Sequence, residues 1–214
     1  MFDLTLPART PLPQPPFLPT TRAEMDAIGW DSLDILLVTG DAYVDHPSFG
    51  VPLLGRWLVG HGYRVGIVAQ PRWKDEGQGI ADLARMGRPR LFAGVSAGAL
   101  DSMLAHYTAF RKKRHDDAYT PGGKAGFRPD RAVTVYSQIL KRLYPHVPVV
   151  IGGIEASLRR LTHYDYWSDA LKPSILAESG ADLLIYGMGE RVVQQVARAM
   201  RNGYNAKLLR KIRQ

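Results

Sequence analysis

The sequence predicts an α/β fold: a doubly wound, mostly parallel five-stranded sheet with a Pro-rich N-terminal arm. Three observations lead there. Five short apolar runs lack polar alternation, as expected of strands buried on both faces. Segments of helical periodicity separate them, and alternating strands and helices imply parallel pairing. Polar, glycine-containing stretches follow four of the five runs directly.

The elements follow in order. Residues 1–19 hold six of the 15 prolines and read as an extended, polyproline-like arm. Thr21 with Glu24 three positions on is a capping-box pattern, opening a short helix that ends near Gly29. The first strand is Asp34–Val38, followed by a helix over Val51–Val59. Tyr63–Ala69 is the second strand, with a weaker helix over Asp75–Met86. Arg90–Val95 is the third, with a helix over Asp101–Arg111. An inserted loop over 112–130 is long for a connection inside a compact domain, which marks it as functional or mobile. Arg131–Tyr144 returns to helix, with Val135, Ile139, Leu140 and Leu143 on one face. Val147–Ile151 and Ala181–Tyr186 are the fourth and fifth strands, and Val192, Val193, Val196 and Met200 mark a last helix. The expected organisation is arm and helix over 1–30, a Rossmann-like domain over 31–203, and a basic tail or linker from 204 to 214.

Composition narrows the function classes. An apolar content of 45% with 4 Trp, 10 Tyr and 6 Phe supports a packed core. There is no cysteine, so disulfides, thiolate catalysis and cysteine-ligated metal sites are excluded within this chain. The first residues lack a basic start and apolar core of a signal peptide, and no run reaches the length of a membrane helix, so a cytoplasmic protein without a membrane partner is expected. The net charge of +8 and the basic run Arg111–Arg114 keep nucleic acid open as a partner.

Ligands of a doubly wound sheet sit beyond the carboxyl ends of the strands. The loops there carry Asp41, Asp45 and His46 after the first strand, Ser96 after the third, and Glu190 after the fifth. The loop after the fourth, within VVIGGIEASLRRLTHYDYWSD, carries Glu155, Arg159, Arg160, His163, Tyr164 and Asp165. These residues are the cleft or substrate-binding candidates. Each also has a structural reading: Ser96 as a helix cap, Glu190 as a first-turn acid favouring the helix dipole, the glycines as tight turns. Gly122, Gly123 and Lys124, with Arg128 nearby, form a candidate phosphate nest in the inserted loop, with a plain surface loop as its alternative. No P-loop, GxGxxG fingerprint or regular metal spacing occurs, and no metal site is expected. Gly94-Val95-Ser96-Ala97-Gly98 has the letters of a nucleophile elbow, with Asp130 and His163 in the required chain order, so a stand-alone hydrolase using Ser96 is a lesser alternative.

Several long strings are distinctive: RPRLFAGVSAGALDSMLAHYTA, DDAYTPGGKAGFRPDRA, VVIGGIEASLRRLTHYDYWSD and ADLLIYGMGER. Over residues 16–195 the sequence resembles the amino-terminal region of YgiQ-type radical SAM proteins. That resemblance implies a fold similar to cobalamin-binding domains, flavodoxin-like in its winding. It further implies a downstream radical SAM barrel with a CxxxCxxC motif, which would hold a [4Fe-4S] cluster and S-adenosylmethionine. The motif is absent here, so the chain is expected to be an amino-terminal portion that is not catalytic by itself and carries no cofactor of its own. Cobalamin is not expected: in Asp45-His46-Pro47-Ser48-Phe49-Gly50 the acid adjoins the histidine and the glycine comes one position late for the DxHxxG pattern. The function implied is an accessory domain that helps to form a substrate cleft beside that barrel, its partner, for a substrate that the resemblance leaves unknown. The alternative is a basic nucleic-acid or nucleotide-binding module.

Overall fold

A computed structural model describes residues 9–205 of the chain. Five parallel strands, β1 (Ile35–Thr39), β2 (Val65–Ala69), β3 (Phe92–Ser96), β4 (Val149–Gly152) and β7 (Leu183–Leu184), form one sheet in the order β2-β1-β3-β4-β7. Every residue of β1 is buried, as the unbroken apolar run requires of a strand covered on both faces. Helices α2 (Gly50–Gly60) and α8 (Glu190–Arg201) pack together on one face; α3 (Glu76–Ala84), α5 (Ala132–Leu143) and α7 (Ile175–Ser179) pack together on the other. The strand order reverses between β1 and β3, because β1 leads outward to β2 and the chain then returns to the other side of β1. That reversal opens a crevice at the carboxyl ends of β1 and β3.

The short helix α1 (Arg22–Ala27) starts with both halves of its capping box, Thr21 accepting from the Glu24 amide and Glu24 accepting from the Thr21 amide. The described part of the arm lies along α2. Arg56 donates to the carbonyls of Pro15 and Pro16, and Leu18 is buried against Gly55. The Ile67 amide donates to the Pro19 carbonyl, which covers part of the open edge of β2. Residues 1–8 of the arm and the basic tail from 206 onward lie outside the described residues.

The structure differs from the expected elements in three places. The helix α4 (Ser102–His106) stops five residues short of Arg111. Tyr107 turns to extended backbone and bridges to Lys113, while its hydroxyl donates to Asp130 at 3.0 Å. The fifth strand contracts to two paired residues at the sheet edge. The segment after β4 is the largest addition. It forms α6 (Gly153–Leu158) and an antiparallel hairpin of β5 (His163–Asp165) and β6 (Ala170–Lys172). Asp165 closes that hairpin, accepting from the amide and hydroxyl of Ser168 at 3.0 and 2.6 Å, an Asx-type turn.

Candidate functional site at the strand ends

A cavity of about 370 Å³ lies at the sheet switch point, between the sheet and helices α2 and α8. Its floor is built by small residues at alternate positions. Gly94 and Ser96 of β3 and Gly152 of β4 point to the same face as Leu37 and Thr39 of β1, since successive side chains alternate across a sheet. A Cβ at Gly94 would meet Leu37 Cδ2 at 2.8 Å, so this face has no room for larger residues beside Leu37. Leu53, Leu54 and Val193 close the helix side. The polar lining comes from the buried Asp41 and from Ser48, Ser96 and Glu190, with Met188 exposed at the mouth; these belong to three of the four anticipated loops, and the fourth contributes Gly152 and Gly153. Such a site has the dimensions and the apolar floor with few polar groups of a small-molecule pocket.

The loops are held at this rim by buried polar contacts. The carboxylate of Asp41 accepts from the Ala99 amide at 2.6 Å and sits under the turn at Gly98. Gly98 has φ +110°, and a Cβ there would lie 2.1 Å from Asp41 Oδ1, so only glycine admits this turn. Burial pushes the Asp41 carboxyl above its ordinary pKa, against the lowering effects of the Ala99 amide and Arg128. Ser96 Oγ accepts from the Gly98 amide at 3.1 Å and closely approaches Gly153.

Arg128 is fully buried. It donates to both oxygens of Asp117 at 2.8 and 3.2 Å and to the Ala97 carbonyl at 3.0 Å, and makes an ion pair with Asp41 at 2.9 Å. Gly122 and Gly123 stand in a short 3-10 turn with Lys124 exposed beside it, whereas Arg128 is turned away into this interior pair. The inserted loop is thereby fastened to the rim, a connection reinforced where the Ala42 amide donates to Tyr119.

Glu155 is also buried, at 1% exposure. Its two oxygens accept from the amides of Ser102 and Val133, each at 3.0 Å, and so serve the first turns of both α4 and α5. Burial and then the charge of Asp101 push its carboxyl upward. Arg159 pairs with Asp101, which in turn caps α4 through the Met103 amide. Asp165 pairs with Arg131 at 2.8 Å; burial acts to raise its pKa, but the bonds from Ser168 and Arg131 outweigh it and hold the carboxyl at about 2. These groups hold the loops in place through buried bonds.

The remaining candidates are spread out. Asp45 is paired with Arg56, and His46 Nδ1 accepts from the Ser48 amide at 3.1 Å. Arg160 stacks over the Tyr186 ring at 5.2 Å, and Tyr164 donates to Asp169. His163 Nδ1 lies 3.1 Å from the Leu161 carbonyl, and Asp130 is bonded to His106 and Tyr107. The structure therefore joins Asp41, Ser96 and Glu190 at one cavity, and it does not join Ser96, Asp130 and His163. Sequence reading passed over a cluster beside the hairpin: Arg111 stacks on Tyr166 at 4.6 Å and Trp167 at 5.7 Å, with Tyr107 4.3 Å from Trp167. The aromatic-rich string YDYW was its only local sign.

The chain by itself offers no thiolate for an iron–sulfur cluster. The chain has no cysteine, and among the described residues no group of three or more His, Asp or Glu gathers. No described helix is long and apolar enough to cross a membrane.

Comparison with known proteins gives the family. The radical SAM N-terminal family matches residues 17–214. A UPF0313 protein of Thermotoga neapolitana is 61% identical over 184 residues, covering 86% of this chain and 32% of the relative. A UPF0313 protein of Geobacter sulfurreducens is 60% identical over 187 residues, covering 87% and 30%. One from Pseudomonas putida is 56% identical over 198 residues, covering 92% and 25%. This chain thus spans a third or less of the length of these relatives. No solved structure matches. With its parallel sheet, its switch-point cavity and a match along nearly all its length, the chain belongs to the radical SAM N-terminal family.

Proposed function

We propose that this chain is the accessory α/β domain of a larger radical SAM protein and supplies one wall of its substrate cleft. The observation that carries this reading is the cavity at the β1/β3 switch point, which is walled by α2 and α8 and rimmed by the loops that follow the strands. In a longer protein a downstream radical SAM barrel would hold the cluster and S-adenosylmethionine and generate the radical. The role of this domain is then to bind and orient. The apolar floor takes the non-polar part of a substrate, and Ser48, Ser96 and Glu190 offer hydrogen bonds at the mouth. The rigid carboxylates beneath, Asp41 and Glu155, fix the loops rather than react.

A thermal-shift screen of this chain tests the reading, using nucleotides, cobalamins, S-adenosylmethionine and amino-acid derivatives. A cavity ligand at about 100 times its Kd adds about 2.7 kcal/mol of stability. Ser48→Trp, at an exposed position on the mouth, should abolish that shift and leave the Tm without ligand unchanged. Ligands that bind the variant equally well, or a library without any hit, would count against a substrate wall here.

A further inference from the structure

We infer that the β5–β6 hairpin and the loop carrying Phe110 form the seat of the downstream domain, and that docking there closes the cavity mouth. This rests on the accessory-domain reading and names the surface it needs. Phe110 is 87% exposed and Leu171 76%, with Leu161, Tyr164 and Tyr166 also turned to solvent. Solvent-facing apolar side chains gathered in this way mark an interaction site. The hairpin and the adjoining loop that carry them are tied to each other. Tyr164 pairs with Leu171 across the hairpin, Tyr166 donates to the Ala109 carbonyl at 3.3 Å, and Arg111 bonds the Tyr166 carbonyl while stacking on its ring. A surface fixed before binding loses little conformational entropy when covered.

The surface runs on to the cavity. Arg160, just before Leu161, stacks on Tyr186, and two residues later Met188, 84% exposed, lines the mouth. A partner seated on the hairpin would therefore also cover Met188. The occupant is the segment that the relatives carry beyond the matched third: a surface this apolar needs a cover, and the relatives have about twice this chain's length to supply it. A segment that follows α8 has the reach: α8 runs for 12 residues, about 18 Å at 1.5 Å per residue, and about six extended residues would span that distance.

Hydrogen exchange on this chain and on the full-length Thermotoga maritima relative, 61% identical over 184 residues, tests the seat. Each hairpin rate is divided by that of α3 in the same protein, which lies away from the proposed seat. We expect the segment equivalent to 162–172 to exchange at least about tenfold more slowly in the full-length protein. Protection confined to the loops equivalent to 97–100 and 187–189 would overturn the hairpin seat and leave the accessory domain standing. No added protection on either would overturn both. Two further arms use this chain by itself. Hairpin protection that grows with protein concentration would assign the surface to a second copy and overturn the proposal. Hairpin protection on adding single-stranded RNA, lost as salt is raised, would assign it to nucleic acid and likewise overturn it.

Discussion

Replacing Arg128 with methionine tests whether this residue holds the rim or waits for a phosphate. The guanidinium is fully buried and bridges Asp117, Asp41 and the Ala97 carbonyl, so its loss leaves two nearly inaccessible carboxylates without their cation. Breaking a buried pair from one side costs about 3–5 kcal/mol. At about 2–4 °C per kcal/mol for a chain of this size, the Tm should fall by about 6–20 °C. Circular dichroism during heating reads the change. Lys124→Ala, at the exposed neighbouring position, should move stability by no more than about 0.5 kcal/mol. Adding Asp41→Asn and Asp117→Asn to Arg128→Met should recover part of the loss, since the stranded charges are then gone; the three sites share one network and their effects should not add. If Arg128→Met lowers the Tm by less than about 2 °C while weakening phosphate binding, Arg128 serves a phosphate and does not hold the rim.

Other changes probe the same frame. Gly98→Ala places a Cβ 2.1 Å from the Asp41 carboxylate at φ +110°, so strain of about 1–3 kcal/mol plus the displaced Ala99 bond should lower the urea midpoint; an unchanged midpoint would show that the turn can relax. Glu155→Leu leaves the buried amide bonds of Ser102 and Val133 without their acceptor, at about 1–3 kcal/mol each, and should unfold α4 and α5 first as read by hydrogen exchange. Asp165 has a folded pKa of about 2 against an ordinary 3.8, so the stability it adds is present above about pH 4 and lost as pH falls through 2. Asp165→Asn should therefore be less stable than the parent at pH 5, with the gap narrowing toward pH 2; a constant gap across that range would show that ionisation of Asp165 is not the source.

The strands and most helices were legible because their signals are local. A run such as Ile35–Thr39 carries its own evidence of two-sided burial, and Thr21 with Glu24 announces a helix start within four residues. The meeting of four loops at one rim also followed from sequence, since parallel strands all end on the same side. The helix expected through Arg111 broke at Tyr107 because a bridge to Lys113 and a bond to Asp130 compete with it, and neither partner is visible to helical periodicity. The hairpin was missed because three-residue strands are too short to show alternation.

The sequence by itself determined the fold class, the absence of any thiol ligand and the edge of the sheet at which the polar loops meet. It could also name the polar residues near that edge. Only the tertiary structure decided what each one touches. Asp41 reaches Arg128 across 87 positions, Glu155 reaches Ser102 across 53, and Arg159 reaches Asp101 across 58. Those pairings depend on which crossover brings two loops together. A crowded, ionisable stretch therefore reads the same in sequence whether its charges face solvent or the protein's own groups; burial and partner distance separate the two, and here Glu155, Arg159 and Asp165 each meet a partner within the protein.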